Sequence, residues 1–513
     1  MQGQEEICLS AWDPCECFIF FNSYVAYILT DLWSDVFKYL FTFRLHYCRY
    51  CYQRHCAIYK SPIQELMKSV SSVTNAAETE DEGGHVEKDG SHTCLTPNDR
   101  LARSPRFVVA TDFIKLVWLS NTEGFDTHGG CMGLSSLDWD EDIGAKIGTR
   151  TSIVDVVHIP EDDESFPGLF VNQLPSENFV SKDGTHLLLT SQWRSISKVI
   201  KICVATGEVQ PIAFNLKDTS HTAGSQSLLC MTSSGGAIVS QSEPNTAPTL
   251  GFISSNSLMK AVSEDNGLVP STLIAQFGPV AATTTFPPND VLQQGGDKKI
   301  SYHVIRSHPE HGEVKAPVEG ILLLPPKSND KHVPLIVVPH GGPHSCTPTA
   351  YVPSYAFLCH TGNFGILHVN FRGSTGFGQA ALESLAGTIG DQDVKDVVHL
   401  TNQVLAEYED HIDASRVGVC GGSHGGFLAG HLIGQYPELF KVAAMRNPVT
   451  NIATMTTATD IPDWTYVESL GPGKYDWSQF RGPNKSDLSA MWDASREFEC
   501  DMFIIKFYIV ASN

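Results

Sequence analysis

The pattern Gly-x-Ser-x-Gly, from Gly421 to Gly425, constrains the fold more than any other part of the chain. The apolar run 416–420 before it predicts a buried strand, and residues 427–433 after it predict a helix. Passing from strand to helix in so few residues requires a turn so sharp that side chains at both glycines would collide with their neighbours. We therefore expect Ser423 to project from the end of the strand, at a helix N-terminus that favours negative charge.

Strand, Gly-x-Ser-x-Gly and helix in this order form the nucleophile elbow of the α/β-hydrolases. The alternative is a glycine-rich turn whose serine has no catalytic role. Strands predicted at 335–338, 365–369 and 442–445 alternate with helices, one of them at 393–411 with Asp393 as its N-cap. This alternation predicts a doubly wound, mostly parallel sheet with its ligand site beyond the carboxyl ends of the strands.

Composition divides the 513 residues into three parts. Residues 1–105 form an unassigned segment rich in aromatic residues and cysteine, which ends in an acidic, disordered linker from residue 70. Residues 106–290 hold short apolar runs between turn signals and predict a partial β-propeller, with a β-sandwich as the competing interpretation. Residues 291–513 form the α/β-hydrolase domain, which we expect to be C-terminally incomplete.

Charge and cysteine content limit the partners and the compartment. The net charge of −22 argues against a general affinity for nucleic acid or acidic lipid, because both need basic patches. The 14 cysteines lack framework spacing and predict free thiols, and the C-x-x-C at 48–51 has no second ligand pair for zinc. No basic signal peptide is evident, and the apolar run 18–29 is shorter than the about 20 residues of a spanning helix. We therefore expect a cytoplasmic protein that binds no membrane, metal or cofactor.

Acyl transfer by a serine needs a base and two donors for the oxyanion. One donor is expected to be the backbone N–H of His424, and the other a backbone N–H of the His-Gly-Gly-Pro-His loop after an early strand. We assign the second donor to Gly342, with Gly341 as the alternative. The competing interpretation of this loop is a tight Gly-Pro turn.

A base is missing from the sequence pattern. In α/β-hydrolases the acid and the histidine follow the serine, but only His424 and His431 do so here. His424 adjoins the nucleophile and cannot fold back onto its hydroxyl, and His431 lies about 12 Å further along the helix axis. The carboxylates Asp460, Asp463 and Asp501 fit capping or surface roles better. The run 502–510 predicts one more core strand.

Residues 333–470 resemble the acylaminoacyl-peptidases of the prolyl oligopeptidase family. The segments that carry this resemblance are 339–345, 369–378, 392–397, 421–427, 434–438, 446–449 and 460–464. A looser resemblance extends over 106–280, which is similar to the last blades of the family's propeller.

The resemblance implies a cytosolic, homo-oligomeric serine exopeptidase that releases an N-acylated amino acid, such as acetyl-alanine, from short blocked peptides. It implies that Ser423 is the nucleophile, that His424 and Gly342 supply the oxyanion donors, and that Arg372 belongs to a family signature or merely packs. The family's triad Asp and His have no counterpart in these residues, so we expect this chain to be inactive as written. A plain esterase or lipase, and an inactive regulatory chain that pairs with an intact enzyme, remain as alternatives.

Overall fold

A computed structural model defines the architecture of the chain. It describes residues 6–11, 40–42, 57–62, 93–123, 127–140, 143–176, 178–214, 216, 224–263, 271–276, 300–326, 332–475, 482–495 and 508–510. The Cys/His cluster at 46–56 and residues 70–92 of the predicted linker lie outside the described residues. Residues 93–105 of the predicted linker instead contain the short strand Thr93–Cys94, which pairs with the strand Ala57–Pro62, and the start of the strand Leu101–Val109.

Small sheets make up the first half of the described chain. The first has the strand order β2-β1-β3-β4, and the second joins β5 to β8 in sequence, with β9 paired to β7. The third and fourth, β10-β11-β12 and β13-β14-β15-β16, are antiparallel meanders. Their strands are β1 Glu6–Ala11, β2 Leu40–Thr42, β3 Ala57–Pro62, β4 Thr93–Cys94, β5 Leu101–Val109, β6 Ile114–Asn121, β7 Gly133–Asp140, β8 Gly144–Ala145, β9 Thr151–Val154, β10 His186–Trp193, β11 Ile196–Cys203, β12 Val209–Pro211, β13 Ser225–Met231, β14 Ala237–Glu243, β15 Thr246–Ile253 and β16 Thr272–Gln276. Helix α1 (Ser255–Ser263) follows β15.

A seven-stranded sheet organises the second half, in the order β17-β18-β20-β19-β21-β22-β23. The first two strands pair antiparallel with their neighbours, and the rest run parallel. Its strands are β17 Ser301–Ser307, β18 Val318–Leu324, β19 Val333–Pro339, β20 Gly365–Asn370, β21 Ile412–Gly422, β22 Phe440–Arg446 and β23 Tyr508–Val510. Its helices are α2 Pro353–His360, α3 Gln379–Glu383, α4 Gln392–Glu407, α5 His424–Gln435, α6 Ile452–Met455, α7 Pro462–Leu470 and α8 Lys485–Asp493.

The central strands of this sheet are buried because helices cover both faces. Every residue of β18 and β20 is buried, as expected for strands that alternate with helices in a doubly wound fold. Leu335 and Val337 of β19 pack with Val417 and Val419 of β21 in the largest apolar core. This architecture confirms the predicted α/β-hydrolase sheet, and the small sheets before it are consistent with a partial propeller.

Helix α4 departs from its predicted start and end. It begins at Gln392 with Asp391 as its N-cap and ends at Glu407, because the chain must turn before β21 starts at Ile412. The assignment of Asp393 as N-cap was therefore wrong. Asp393 lies inside the first turn and is fully buried. Its carboxylate instead contacts the imidazole of His424 and the N–H of Gly390.

The β10–β11 turn connects the small sheets to the hydrolase sheet. Ser195 in this turn is fully buried, and its N–H donates to the carboxylate of Glu319 at 3.2 Å. The side chain of Asn370 donates to the Ser195 hydroxyl at 2.9 Å, and the N–H of Thr349 donates to the Ser195 carbonyl at 2.7 Å. Because Asn370 ends β20, these bonds fix the carboxyl edge of the hydrolase sheet against the β-rich half.

A buried ion pair supports the loop that follows β20. The Arg372 guanidinium donates to both carboxylate oxygens of Asp396 on α4, at 3.0 and 2.6 Å, and both side chains are fully buried. The remaining guanidinium donor is satisfied by the carbonyl oxygens of His311 and Val314. The family-signature residue Arg372 thus has a structural role here.

Replacing Asp396 with Ala is expected to lower the free energy of unfolding by about 3–5 kcal/mol, because it leaves the Arg372 charge buried without its partner. The matched control is Asp391→Ala at the start of the same helix. The Asp391 side chain makes no capping hydrogen bond, and in its ion pair with Lys395 the two side chains are 67% and 47% exposed. That exposed pair is worth about 0–1 kcal/mol. Urea unfolding measures both changes, and equal losses in the two variants would contradict the structural role of Arg372.

Candidate active site

Ser423 lies between the end of β21 and the start of α5 and is exposed. Its backbone has φ 56° and ψ −122°, a conformation that non-glycine residues rarely adopt and that costs about 1–3 kcal/mol. Four backbone hydrogen bonds offset this strain. The Ser423 N–H donates to the carbonyl of Arg446, and the Ser423 carbonyl accepts from Gly426, Phe427 and Val449.

The glycines around Ser423 are sites of close backbone approach. A Cβ atom at Gly421 would overlap the carbonyl oxygen of Gly425, and one at Gly425 would overlap the carbonyl oxygen of Pro339. A Cβ at Gly426 would lie 2.8 Å from the Cβ of Pro448. The turn therefore has the tight packing that the spacing of its glycines predicted.

The loop at 340–344 lies directly against this turn. A Cβ atom at Gly341 would be 3.5 Å from the Cβ of Ser423 and 3.0 Å from the carbonyl oxygen of Gly422. Gly342 follows with φ +130°, which favours glycine. His424 is the first residue of α5, so its N–H has no acceptor within the helix. The nucleophile candidate and the residues predicted to supply the oxyanion donors therefore share one end of the sheet.

Buried side chains hold the 340–344 loop in place. The His340 imidazole donates from Nδ1 to the Gly341 carbonyl at 2.8 Å, forms a 2.7 Å hydrogen bond between Nε2 and the Ser374 hydroxyl, and stacks on Phe371. Burial lowers the pKa of His340 to about 4, so the ring is neutral at physiological pH. The Trp464 indole of α7 donates to the Gly342 carbonyl at 3.1 Å. These contacts leave His340 no free nitrogen with which to act as a base.

The side chain of His424 points away from the nucleophile. Its Nε2 lies 2.9 Å from the carboxylate of Asp393, and both side chains are completely buried. Asp393 also accepts from the N–H groups of Gly390 and Val394. This pair joins the start of α5 to the start of α4, so it orients the elbow helix. Sequence reasoning missed it, because no spacing rule relates residues 393 and 424.

A base for Ser423 is absent from the described residues, in which no side chain makes a hydrogen bond to its hydroxyl. His431 receives a hydrogen bond from Gln435 at Nδ1, and burial lowers its pKa to about 4. Asp460 is exposed, Asp463 lies in the first turn of α7, and Asp501 falls outside the described residues. Within the described part of the chain, the geometry therefore brings together the candidate nucleophile and the residues predicted to supply the oxyanion donors, without a general base.

A second polar group lies beside the 340–344 loop. His128, His344 and Glu468 bring three potential metal-ligand atoms within 4.8 Å of one another. Sequence reasoning did not single out this group, although Glu468 is a charged residue within the buried run 464–469 of α7. His128 belongs to a distant loop, and no pattern in the sequence links it to the other two.

The sheet, the elbow and the adjoining loop define the class of this protein as an α/β-hydrolase with a serine in the nucleophile position. Two family models match the chain: the prolyl oligopeptidase family over residues 352–496, and the N-terminal domain of acylamino-acid-releasing enzymes over residues 23–265. The chain belongs to the prolyl oligopeptidase family of serine peptidases, within which it is related to the acylamino-acid-releasing enzymes.

Curated relatives support this relationship. The acylamino-acid-releasing enzyme of Arabidopsis thaliana is 33% identical over 467 residues, which cover 86% of this chain and 54% of the relative. The Homo sapiens enzyme of the same name is 37% identical over 403 residues, which cover 76% of this chain and 49% of the relative. The chain thus spans about half the length of the curated relatives that it matches.

Solved structures share the fold. A puromycin hydrolase crystal structure matches with a TM-score of 0.51 at 15% identity, over 80% of this chain and 60% of the neighbour. A puromycin-hydrolyzing peptidase of Mycobacterium tuberculosis matches with the same TM-score at 14% identity, over 81% of this chain and 60% of the neighbour. Within the described residues, no helix is both long and apolar enough to cross a membrane.

Gly421→Ala is expected to destabilise the hydrolase domain by about 3 kcal/mol or more, since the new methyl group would overlap backbone that cannot move independently. Gly482→Ala is the matched control, because a Cβ there meets nothing within 4 Å. Thermal unfolding of both variants beside the wild type measures the difference. A Gly421→Ala variant that melts together with the control would show that the elbow is not packed as described.

Proposed function

We propose that this chain carries the nucleophile and the oxyanion-binding groups of a serine exopeptidase that releases N-acylated amino acids from short blocked peptides. The observation that carries the proposal is the exposed, strained Ser423 at the N-terminus of α5, with Gly341 packed beside it. The substrate class is supported by the sequence relatives, which are named acylamino-acid-releasing enzymes.

In the proposed reaction, the Ser423 oxygen attacks the carbonyl carbon of the N-acylated first residue, and the hydroxyl proton passes to a base. The carbonyl oxygen becomes an oxyanion, which the N–H groups of His424 and Gly342 stabilise, with Gly341 as the alternative donor. Collapse of this intermediate breaks the C–N bond and leaves the acylated residue esterified to Ser423, while the departing amine takes up a proton.

The 513-residue sequence has no histidine after His431, and the histidines beside the elbow are engaged elsewhere. Loss of any triad member leaves about 10³–10⁴-fold catalysis over water, from the oxyanion hole and binding alone. Peptide bonds should therefore be cleaved very slowly by this chain. An activated ester, whose leaving group needs no proton, should still acylate Ser423.

Incubation with the p-nitrophenyl ester of acetyl-alanine is expected to add one acetyl-alanyl group per chain, on the peptide that contains Ser423. The adduct should persist, because deacylation also needs a base. Intact-mass and peptide-mapping spectrometry measure it. Ser423→Ala should remove the adduct, whereas Ser415→Ala, which changes an exposed serine on the same strand, should leave it unchanged.

Two outcomes would overturn the proposal: no adduct on Ser423, or a modification distributed over other residues. Equal acylation by p-nitrophenyl butyrate would favour the esterase alternative, because a short fatty acyl group lacks the acylamino group that the proposal requires.

A second function, a regulatory chain that pairs with an intact enzyme subunit, is favoured by the engaged histidines. Its test is co-purification with a full-length acylamino-acid-releasing enzyme. A chain that stays monomeric in that mixture would count against pairing.

A further inference from the structure

Three elements that are distant in the sequence meet beside the 340–344 loop. His128 comes from the loop between β6 and β7, His344 from the loop after β19, and Glu468 from the last turns of α7. The Nε2 of His344 lies 3.0 Å from the Glu468 carboxylate, and the Nδ1 of His128 lies 3.8 Å from the same oxygen. We call these three residues the His-His-Glu cluster.

The cluster is largely buried, yet four of its polar atoms lack hydrogen bonds. The side chains of His344 and Glu468 are 0% and 1% exposed, and that of His128 is 17% exposed. Among the described residues, His128 Nδ1, His344 Nε2 and both Glu468 carboxylate oxygens have no partner with hydrogen-bond geometry. Buried polar groups are almost always satisfied in native proteins. One such atom from each residue lies within 4.8 Å of the other two, and this arrangement points to a ligand between them.

A hydrogen bond at Nδ1 sets the tautomer of His344. Its Nδ1–H donates to the Gly373 carbonyl at 2.8 Å, so in the neutral ring Nε2 carries the lone pair that faces Glu468. Metal-binding histidines show this arrangement: one nitrogen donates to a carbonyl or carboxylate, and the other binds the ion. A lone pair facing a carboxylate is repulsive unless a proton or a cation lies between them.

We propose that His128, His344 and Glu468 bind a zinc ion, with water as the remaining ligand. Two imidazole nitrogens and one carboxylate are a donor set that zinc prefers. Tetrahedral zinc with ligand bonds near 2.0–2.2 Å keeps neighbouring ligand atoms about 3.3 Å apart. The separations of 3.0 and 3.8 Å in the cluster lie on either side of this value.

A proton is the competing occupant. It would make His344 an imidazolium paired with the Glu468 carboxylate. Burial alone would raise the pKa of Glu468, but the nearby imidazoles of His344 and His128 lower it to about 2. That ion pair leaves the Nδ1 of His128 without a hydrogen bond, because this atom lies 3.8 Å from the carboxylate. Zinc satisfies all three residues at once, and this difference favours the metal.

Zinc at this position would join the β-rich half to the active-site end of the hydrolase sheet. His344 follows Gly342 by two residues, and Glu468 lies one helical turn after Trp464, which donates to the Gly342 carbonyl. The ion would therefore stabilise the loop that carries the proposed oxyanion donor. The sequence predicted no metal in this protein, because these ligands come from three separate elements with no shared spacing.

The test is a zinc titration of the full chain after treatment with a chelator, followed by isothermal calorimetry and thermal unfolding. Cys48→Ser and Cys51→Ser in the background remove the competing thiols of the C-x-x-C pair. We expect one zinc ion per chain and a higher melting temperature with zinc. His128→Ala and Glu468→Gln should each weaken zinc binding by at least about 10–100-fold. His332→Ala, which changes an exposed histidine, is the matched control.

Cobalt(II) supplies a second readout, since tetrahedral coordination by nitrogen and oxygen gives visible absorption without thiolate charge-transfer bands. The proposal is overturned if the wild-type chain binds no stoichiometric zinc, or if zinc binding survives both cluster substitutions. If the variants fail to fold, the wild-type zinc stoichiometry and cobalt spectrum decide the question, because a proton-linked pair would bind neither ion.

Discussion

The close contact between Gly421 and the carbonyl of Gly425 is the constraint on which the rest of this site depends. Only glycine permits that approach, and the approach is what bends β21 into α5 within a single residue. Ser423 takes up the strain of this turn at φ 56°, held by bonds to Arg446, Phe427 and others. A serine in this position projects into solvent at the carboxyl end of the sheet, where α/β folds bind their ligands.

Buried electrostatic pairs hold the elements around this turn. Asp393 and His424 join the first turns of α4 and α5, and Arg372 and Asp396 fix the loop after β20 to the same helix. These pairs place charge or strong polarity in the core, where losing one partner is far more costly than losing an exposed ion pair. The histidines near the elbow therefore have structural roles. None of them is placed to activate Ser423.

The sequence was sufficient for features that depend on local patterns. The elbow glycines, β19, β20 and the mostly parallel sheet follow from periodicity and turn chemistry, and the family from dense motifs. Interactions between distant residues could not be predicted in this way. Asp393 looked like an N-cap, because a cap and a buried carboxylate at a helix start have the same sequence signature. The His-His-Glu cluster needs three segments to meet, which only tertiary structure specifies. The proposed domain boundaries remain predictions from composition.

Within the described residues, the candidate nucleophile Ser423 has no base beside it. The most direct measurement is the rate of acetyl-alanine release from an acetyl-alanyl anilide by the purified chain, beside Ser423→Ala. An anilide is a poor leaving group, so its release depends on proton transfer to the departing amine. We expect equal, near-background rates for the two proteins. A wild-type rate at least about 100-fold above the variant, the range that general acid–base catalysis supplies, would contradict it.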